Sequence, residues 1–204
     1  MFADLVLIRH ARSVWNDEGR CQGTTVEPPL NANGWVQAQI AAGELYAAKV
    51  DAEVIYSSDQ HRALETAEII AARLNLPIRT DIRLREFDQG LWQGMMYPDI
   101  KAQYGDLYRR MYETPFEMRP PGGETMAQAA RRVFAALDDI ANLHISRRVI
   151  VVSHEIPIAI VRCAAYTTDL TRMWDFTPHN CQPSRVLWPI PHPIVIPEPD
   201  PAIL

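Results

Sequence analysis

The chain has 204 residues, 48% apolar and 22% charged, with a formal net charge of −5 and three cysteines. That is more than the about 100–150 residues usual for one domain, enough for one large domain with a good core. The negative balance argues against nucleic-acid or anionic-membrane partners, no stretch reaches the ~18 apolar residues of a membrane span, and Cys21, Cys163 and Cys181, odd in number and far apart, suit a reducing cytoplasm rather than a disulfide or zinc framework.

The first ten residues, MFADLVLIRH, lack the basic start and long apolar run of a targeting segment. DLVLIRH instead reads as a strand buried on both faces. Asn33-Gly34 opens a helical pattern in which Val36, Ile40 and Leu45 recur among alanines, to about Lys49. EVIYSS (53–58) is a second strand. The following helix, capped by Asp59, carries Leu64, Ala67, Ile69 and Ile70 on one side. LPIRT is a shorter third strand. Residues 86–121 are rich in Gly and Pro and form a cap segment, with one helix over about 98–112. After a Pro-Gly-Gly turn, a long helix follows with Met126, Ala130, Val133, Leu137 and Ile140 as its apolar stripe. RRVIVVSHE is a fourth strand, IPIAIVRCAAY a helix with Pro157 in its first turn, and SRVLWPI an edge strand. The pattern predicts one α/β domain over 1–188, a three-layer sandwich with a mostly parallel central sheet and helices on both faces, followed by a Pro-rich tail over 189–204.

In such sheets ligands bind beyond the carboxyl ends of the strands. The first strand ends in Arg9-His10. The second ends in Ser57-Ser58 and leads to Arg62, and the fourth ends in Ser153-His154. Parallel strands gather these ends at one edge, giving two histidines and two arginines in one crevice. Guanidinium forks suit phosphate oxygens, and helix N-termini at the same edge add N–H donors. A neutral imidazole is nucleophilic near pH 7 and can attack phosphorus. Transfer then needs charge stabilisation on the phosphoryl oxygens and an acid for the leaving oxygen.

These segments resemble the histidine phosphatase superfamily, the phosphoglycerate-mutase-like proteins, over nearly the whole chain to about Tyr166. The resemblance is carried by LIRHARSVWN, RCQG, IYSSDQHRALETAEIIA, LREFDQGLWQG, RPPGGETMAQAARRV and VIVVSHE, in the family's order. It implies that His10 is the phosphorylated nucleophile. Arg9 and Arg62 would bind the phosphoryl oxygens, His154 would complete the pocket, and Glu86 would be the proton donor and later the base. Asn16, Gln22, Gly23 and Ser57 would touch the phosphate. The resemblance implies no metal and no cofactor. A homodimer, frequent in the family, stays open.

Three residues depart from the family pattern. Ala11 stands where Gly is usual and is neutral unless a positive φ is required there. Arg12 replaces Glu or Gln, at the pocket rim or in solvent. Glu155 follows His154 where Gly is common, where it would orient His154, repel phosphate or, in its ordinary role, cap the next helix. His61, His144, His179 and His192 read as surface or tail residues, Trp92, Trp174 and Trp188 as packing, and Arg109-Arg110 as a solvated helix face.

The expected activity is a metal-independent phosphomonoesterase working through a phosphohistidine on a small phosphorylated metabolite. One alternative is a cofactor-dependent phosphoglycerate mutase. Against it, the segment after Glu86 is short, and Gln89 stands where mutases place a Tyr. The other alternative is a non-catalytic phosphate-binding protein, which the complete set of Arg9, His10, Arg62, Glu86 and His154 opposes. Tyr97, Tyr104, Tyr108, Met95 and Met111 are expected to form a partly apolar lid.

Overall fold

The computed structural model describes residues 2–167, 169–189 and 196–197. The sheet has five strands: β1 (Phe2–Arg9), β2 (Ile55–Ser57), β3 (Ile78–Thr80), β4 (Arg148–Ser153) and β5 (Ser184–Pro189), in the order β3-β2-β4-β1-β5. β1 pairs parallel with β4, with Arg9 opposite Ser153, and β2 lies parallel to both β4 and β3. Only β5 runs antiparallel, as an edge strand on β1. The alternating side-chain directions of a strand explain why the apolar runs are continuous. Ala3, Leu5 and Leu7 of β1 join Val149 and Val151 of β4 in one core, while Val6, Ile8, Ile150 and Val152 join a second core across the sheet.

Helices α2 (Ala32–Ala47) and α3 (His61–Leu74) cover the second core, and α6 (Met126–Leu143) and α7 (Glu155–Tyr166) the first. This is the expected three-layer sandwich. α6 starts with a capping box in which Thr125 and Gln128 each satisfy the other's backbone N–H, and its buried face contains the predicted stripe.

Several local expectations need correction. In α2 the buried face is Gly34, Ala38, Ala41, Ala42 and Leu45, whereas Val36 and Ile40 are 54% and 56% exposed. Small side chains allow close approach at Gly34, where a Cβ would lie 2.1 Å from the Arg12 carbonyl oxygen. Asp59 does not cap α3. Its carboxylate is held by Arg85 at 2.6 Å, Gln60 takes the cap position without a side-chain bond, and Leu64 and Ile69 are only half-buried. The single helix over 98–112 is two, α4 (Tyr97–Gln103) and α5 (Gly105–Glu113), broken at Tyr104 where φ is −126°. A five-residue helix, α1 (Val14–Glu18), has no counterpart among the predicted elements. Pro189 closes β5 opposite Phe2, and of the tail beyond it only residues 196–197 are described, with Ile196 packed against the first core.

Candidate active site

The parallel register brings the carboxyl ends of β1, β2 and β4 together. At that edge Arg9, the last residue of β1, and His10 directly after it face a cavity of about 370 Å³, within the usual size for a small-molecule site. Arg9, His10, Asn16, Gln22, Gly23, Arg62 and Glu86 line it. His154 lies against His10, ring centroids 5.1 Å apart at 56°.

His10 is fixed from both sides of the backbone: its N–H donates to Ser153 O at 2.9 Å, and its carbonyl accepts from Asn180 Nδ2 at 2.7 Å. Its Nδ1 lies 2.7 Å from the Ala11 carbonyl. A carbonyl only accepts, so Nδ1 carries the proton and Nε2 the lone pair. Burial first, then the charges of Arg62 and Arg9, holds the His10 pKa well below 6.5. His154 is likewise kept neutral by burial and then Arg62. Both of its ring nitrogens are buried without a protein partner. Ala11 has no positive φ, and its N–H donates to Thr66 Oγ1 at 3.0 Å, so the departure from Gly strains nothing.

Arg62 enters from the first turn of α3 and is fully buried. Its two terminal nitrogens donate to the carbonyls of Thr25 and Gly23, each at 2.9 Å. Gln60 Nε2 donates to the same two carbonyls, so Arg62 and Gln60 clamp the loop over 22–25. Gly23 turns that loop at φ +47°, where a Cβ would also strike the Gln93 side chain. Asn16 closes a capping box with Ser13, whose hydroxyl lies 2.7 Å from Gln22 Oε1. Burial lowers the Arg62 pKa to about 10, which leaves it charged at neutral pH.

Glu86 sits at the N-terminus of α7, where unpaired N–H groups attract a carboxylate. Its Oε2 accepts from Glu155 N at 3.2 Å, and Oε1 accepts from Ile156 N at 3.3 Å and from Phe87 N at 2.8 Å. Burial outweighs these bonds, and the nearby Glu155 charge adds to it, so the Glu86 pKa rises to about 6. The backbone carrying Glu86 is held from outside the cavity. Gln60 Oε1 accepts the Glu86 N–H, and Arg132 donates to the carbonyls of Arg83, Arg85 and Glu86 while pairing with Glu124 at 2.6 Å.

Ser57, expected to touch phosphate, does not line the cavity. Its hydroxyl donates to the Ser58 carbonyl at 2.8 Å. Glu155 is not a helix cap either: it is the first residue of α7, and its carboxylate pairs with Arg9 at 2.5 Å, while Arg9 also donates to Pro178 O. Arg12 turns outward onto Asp17. Arg109 pairs with Asp106 and Glu113, and Arg110 donates to Glu117 O, so neither arginine faces the site. The lid differs in part from expectation. Tyr97, Tyr108 and Met111 line the cavity, as do Tyr112, Trp92 and Trp174, whereas Met95 and Tyr104 pack against the core. His144 bridges Glu53 and Tyr56 rather than facing solvent freely. Gln60 and Arg132 were missed because a lone Gln before a helix and an Arg on a charged helix carry no local signal of carbonyls distant in sequence. Among the described residues, no group of three or more His, Cys, Asp or Glu side chains is placed to hold a metal ion.

Comparison with known proteins agrees with this geometry. The chain is 37% identical over 182 residues to phosphoserine phosphatase 1 of Hydrogenobacter thermophilus, covering 89% of this chain and 85% of that protein. It is 36% identical over 185 residues to a probable phosphoglycerate mutase of Salmonella typhi, covering 88% and 82%. Among solved structures, the mycobacterial glucosyl-3-phosphoglycerate phosphatase in complex with VO3 superposes with a TM-score of 0.79 at 27% identity, covering 89% and 90%. The family model described as "Histidine phosphatase superfamily (branch 1)" matches residues 5–191, and the chain, with His10 and His154 in contact just beyond the ends of β1 and β4, belongs to that superfamily.

Proposed function

We propose that the protein hydrolyses small phosphate monoesters through a phosphoryl group carried on His10. The observation that carries this reading is the state of His10: buried, its pKa held well below 6.5, with Nδ1–H on the Ala11 carbonyl and the lone pair therefore on Nε2, in a cavity that Arg9 and Arg62 also line. The mechanism follows from the groups around it. Nε2 attacks phosphorus as the ester P–O bond breaks, with Arg9 and Arg62 holding the phosphoryl oxygens and buried His154 supplying a further donor. Glu86, protonated below its raised pKa of about 6, gives its proton to the leaving oxygen. The resulting carboxylate then takes a proton from water, whose oxygen attacks phosphorus and breaks the N–P bond. Inorganic phosphate leaves, and Glu86 is protonated again.

The mutase alternative has a named relative but less support from the site. Among the described residues only Arg9 and Arg62 bring positive charge to the cavity wall, which leaves none for a glycerate carboxylate. Phosphate release from an aryl phosphate, measured in EDTA for wild type and His10→Ala, tests the reading. Release that disappears in the variant is expected. Release that survives it, or depends on added metal, would sink the reading.

A further inference from the structure

Gln60 occupies the N-cap position of α3, fully buried, and does not line the cavity. Its amide joins two separate loops. Nε2 donates to the Gly23 carbonyl at 3.0 Å and to the Thr25 carbonyl at 2.9 Å, and Oε1 accepts the Glu86 N–H at 2.8 Å. Two acceptors face Nε2 and a donor faces Oε1, so turning the amide over would break all three bonds. The first loop brings Gln22 and Gly23 to the cavity wall, and the second brings Glu86.

The two halves of this bridge are not equally needed. Both carbonyls also accept from Arg62, each at 2.9 Å, so the loop over 22–25 keeps one clamp without Gln60. Gln93 adds a hold from another side, where its Oε1 accepts from Thr24 Oγ1 at 2.8 Å. On the acid side Arg132 takes carbonyls, those of Arg83, Arg85 and Glu86, and the Glu86 N–H falls to Gln60. A buried N–H that loses its acceptor is costly, so without Gln60 this peptide would turn to find another. The carboxyl carried by the same residue would turn with it.

We infer that Gln60 is the positioning residue for proton transfer, its amide holding Glu86 in place relative to the loop over 22–25. The inference rests on the phosphatase reading above. As the ester P–O bond breaks, its electron pair goes to the alcohol oxygen, and that oxygen takes the Glu86 proton. Gln60 acts through Glu86 and touches no reacting atom. Its loss therefore shows where the leaving oxygen needs a proton and not where it departs without one, whereas a residue that only held the fold together would act on both alike.

Phenyl phosphate and dinitrophenyl phosphate make the comparison, because phenol leaves poorly without a proton and dinitrophenolate leaves readily. kcat/KM, which reports the steps up to release of the alcohol, is measured at pH 5, where Glu86 carries its proton. Gln60→Met is expected to lower it about tenfold for phenyl phosphate and to change it little for dinitrophenyl phosphate. Gln60→Glu, which keeps an acceptor for the Glu86 N–H, is expected to restore the wild-type ratio between the esters. Inorganic phosphate should raise the Tm of Gln60→Met as it does that of wild type, since Arg62 still holds both carbonyls. Gln60→Asn, one methylene too short to span both loops, makes the same test should Gln60→Met not fold. Equal losses on the two esters, a ratio that Gln60→Glu fails to restore, or a phosphate shift lost with Gln60 would overturn the inference and leave the phosphatase reading standing. Wild type that hydrolyses neither ester would remove the phosphatase reading, and the inference with it.

Discussion

The proposed mechanism asks Glu86 to be an acid in one step and a base in the next, and its surroundings suit both. Burial and the Glu155 charge push its pKa up to about 6, against the N–H of Phe87 and the charges of Arg62 and Arg9. The proton-donating form is therefore lost as pH rises through about 6, while His10, its pKa depressed, keeps its nucleophilic form well below 6.5. Activity toward an aryl phosphate is expected to fall on the alkaline side with an apparent pKa near 6. Glu155→Gln should move that limb to lower pH, and an unmoved limb would remove Glu155 from the account. The same shift carries a stability cost. A carboxyl that binds its proton more tightly when folded destabilises the fold once ionised, and the cost sets in as pH rises from about 4.5 through about 6. At pH 8 that amounts to about 2 kcal/mol, so Glu86→Gln is expected to abolish turnover yet raise the unfolding free energy by up to about that much in a denaturant titration. Arg9, His10, Arg62 and His154 were legible in the sequence because each ends a strand or opens the next helix, positions that topology alone carries to one edge. Ser57 satisfies the same rule and still turns onto its neighbour's carbonyl, since a short hydroxyl side chain bonds local backbone as readily as a ligand.

At the scale of elements, the loop that carries Glu86 depends on a helix that does not line the cavity. Arg132 of α6 donates to three carbonyls of that loop, those of Arg83, Arg85 and Glu86, and pairs with Glu124. The turn over 121–123 then packs so tightly on the loop that a Cβ at Gly90 would lie 2.2 Å from the Pro121 carbonyl oxygen. Lys cannot reproduce a planar fork spread over several acceptors. Arg132→Lys is therefore expected to cost about 2–3 kcal/mol of stability and to lower kcat. Chemical denaturation and steady-state kinetics on the same preparation would check both. Such contacts span more than 45 positions, which is why a stripe drawn along α6 finds its buried face but not its role. The opposite failure occurs in α2. Pattern reading takes Val36 and Ile40 for the core because they are large, yet tight packing at Gly34 selects the alanine face. The break at Tyr104 is equally hidden, since no Pro separates α4 from α5 and only Gly105 marks the place.

Taken as a whole molecule, a chain of net charge −5 presents a small cationic pocket. Inorganic phosphate, which offers that pocket its ligand chemistry without a leaving group, should stabilise the fold by mass action. At about one hundred times its dissociation constant the gain is about 2.7 kcal/mol, a rise in Tm of about 5–10 °C for a domain of this size. The rise is expected to persist in EDTA and to vanish in Arg62→Ala, and a shift that needs metal or survives loss of Arg62 would contradict the assigned anion site. The architecture itself was readable because strand and helix periodicities alternate on both sides of the irregular cap over 86–121.

The strand order has a consequence for how the molecule is made. β1 leaves the ribosome before the other four strands of the sheet, yet its two sheet neighbours are β4 and β5, with paired residues such as Asp4 and Arg148 more than 140 positions apart. At about 5–20 residues per second of synthesis, Leu5, Leu7 and Ile8 wait on the order of ten seconds for Val149 to Ser153 to arrive. During that interval the strand that will carry His10 is an apolar segment with both hydrogen-bonding edges open. A chain released before residue 153 is therefore expected to be an aggregation-prone fragment rather than half an enzyme, and chaperone capture in the cell should concentrate on nascent chains in that window.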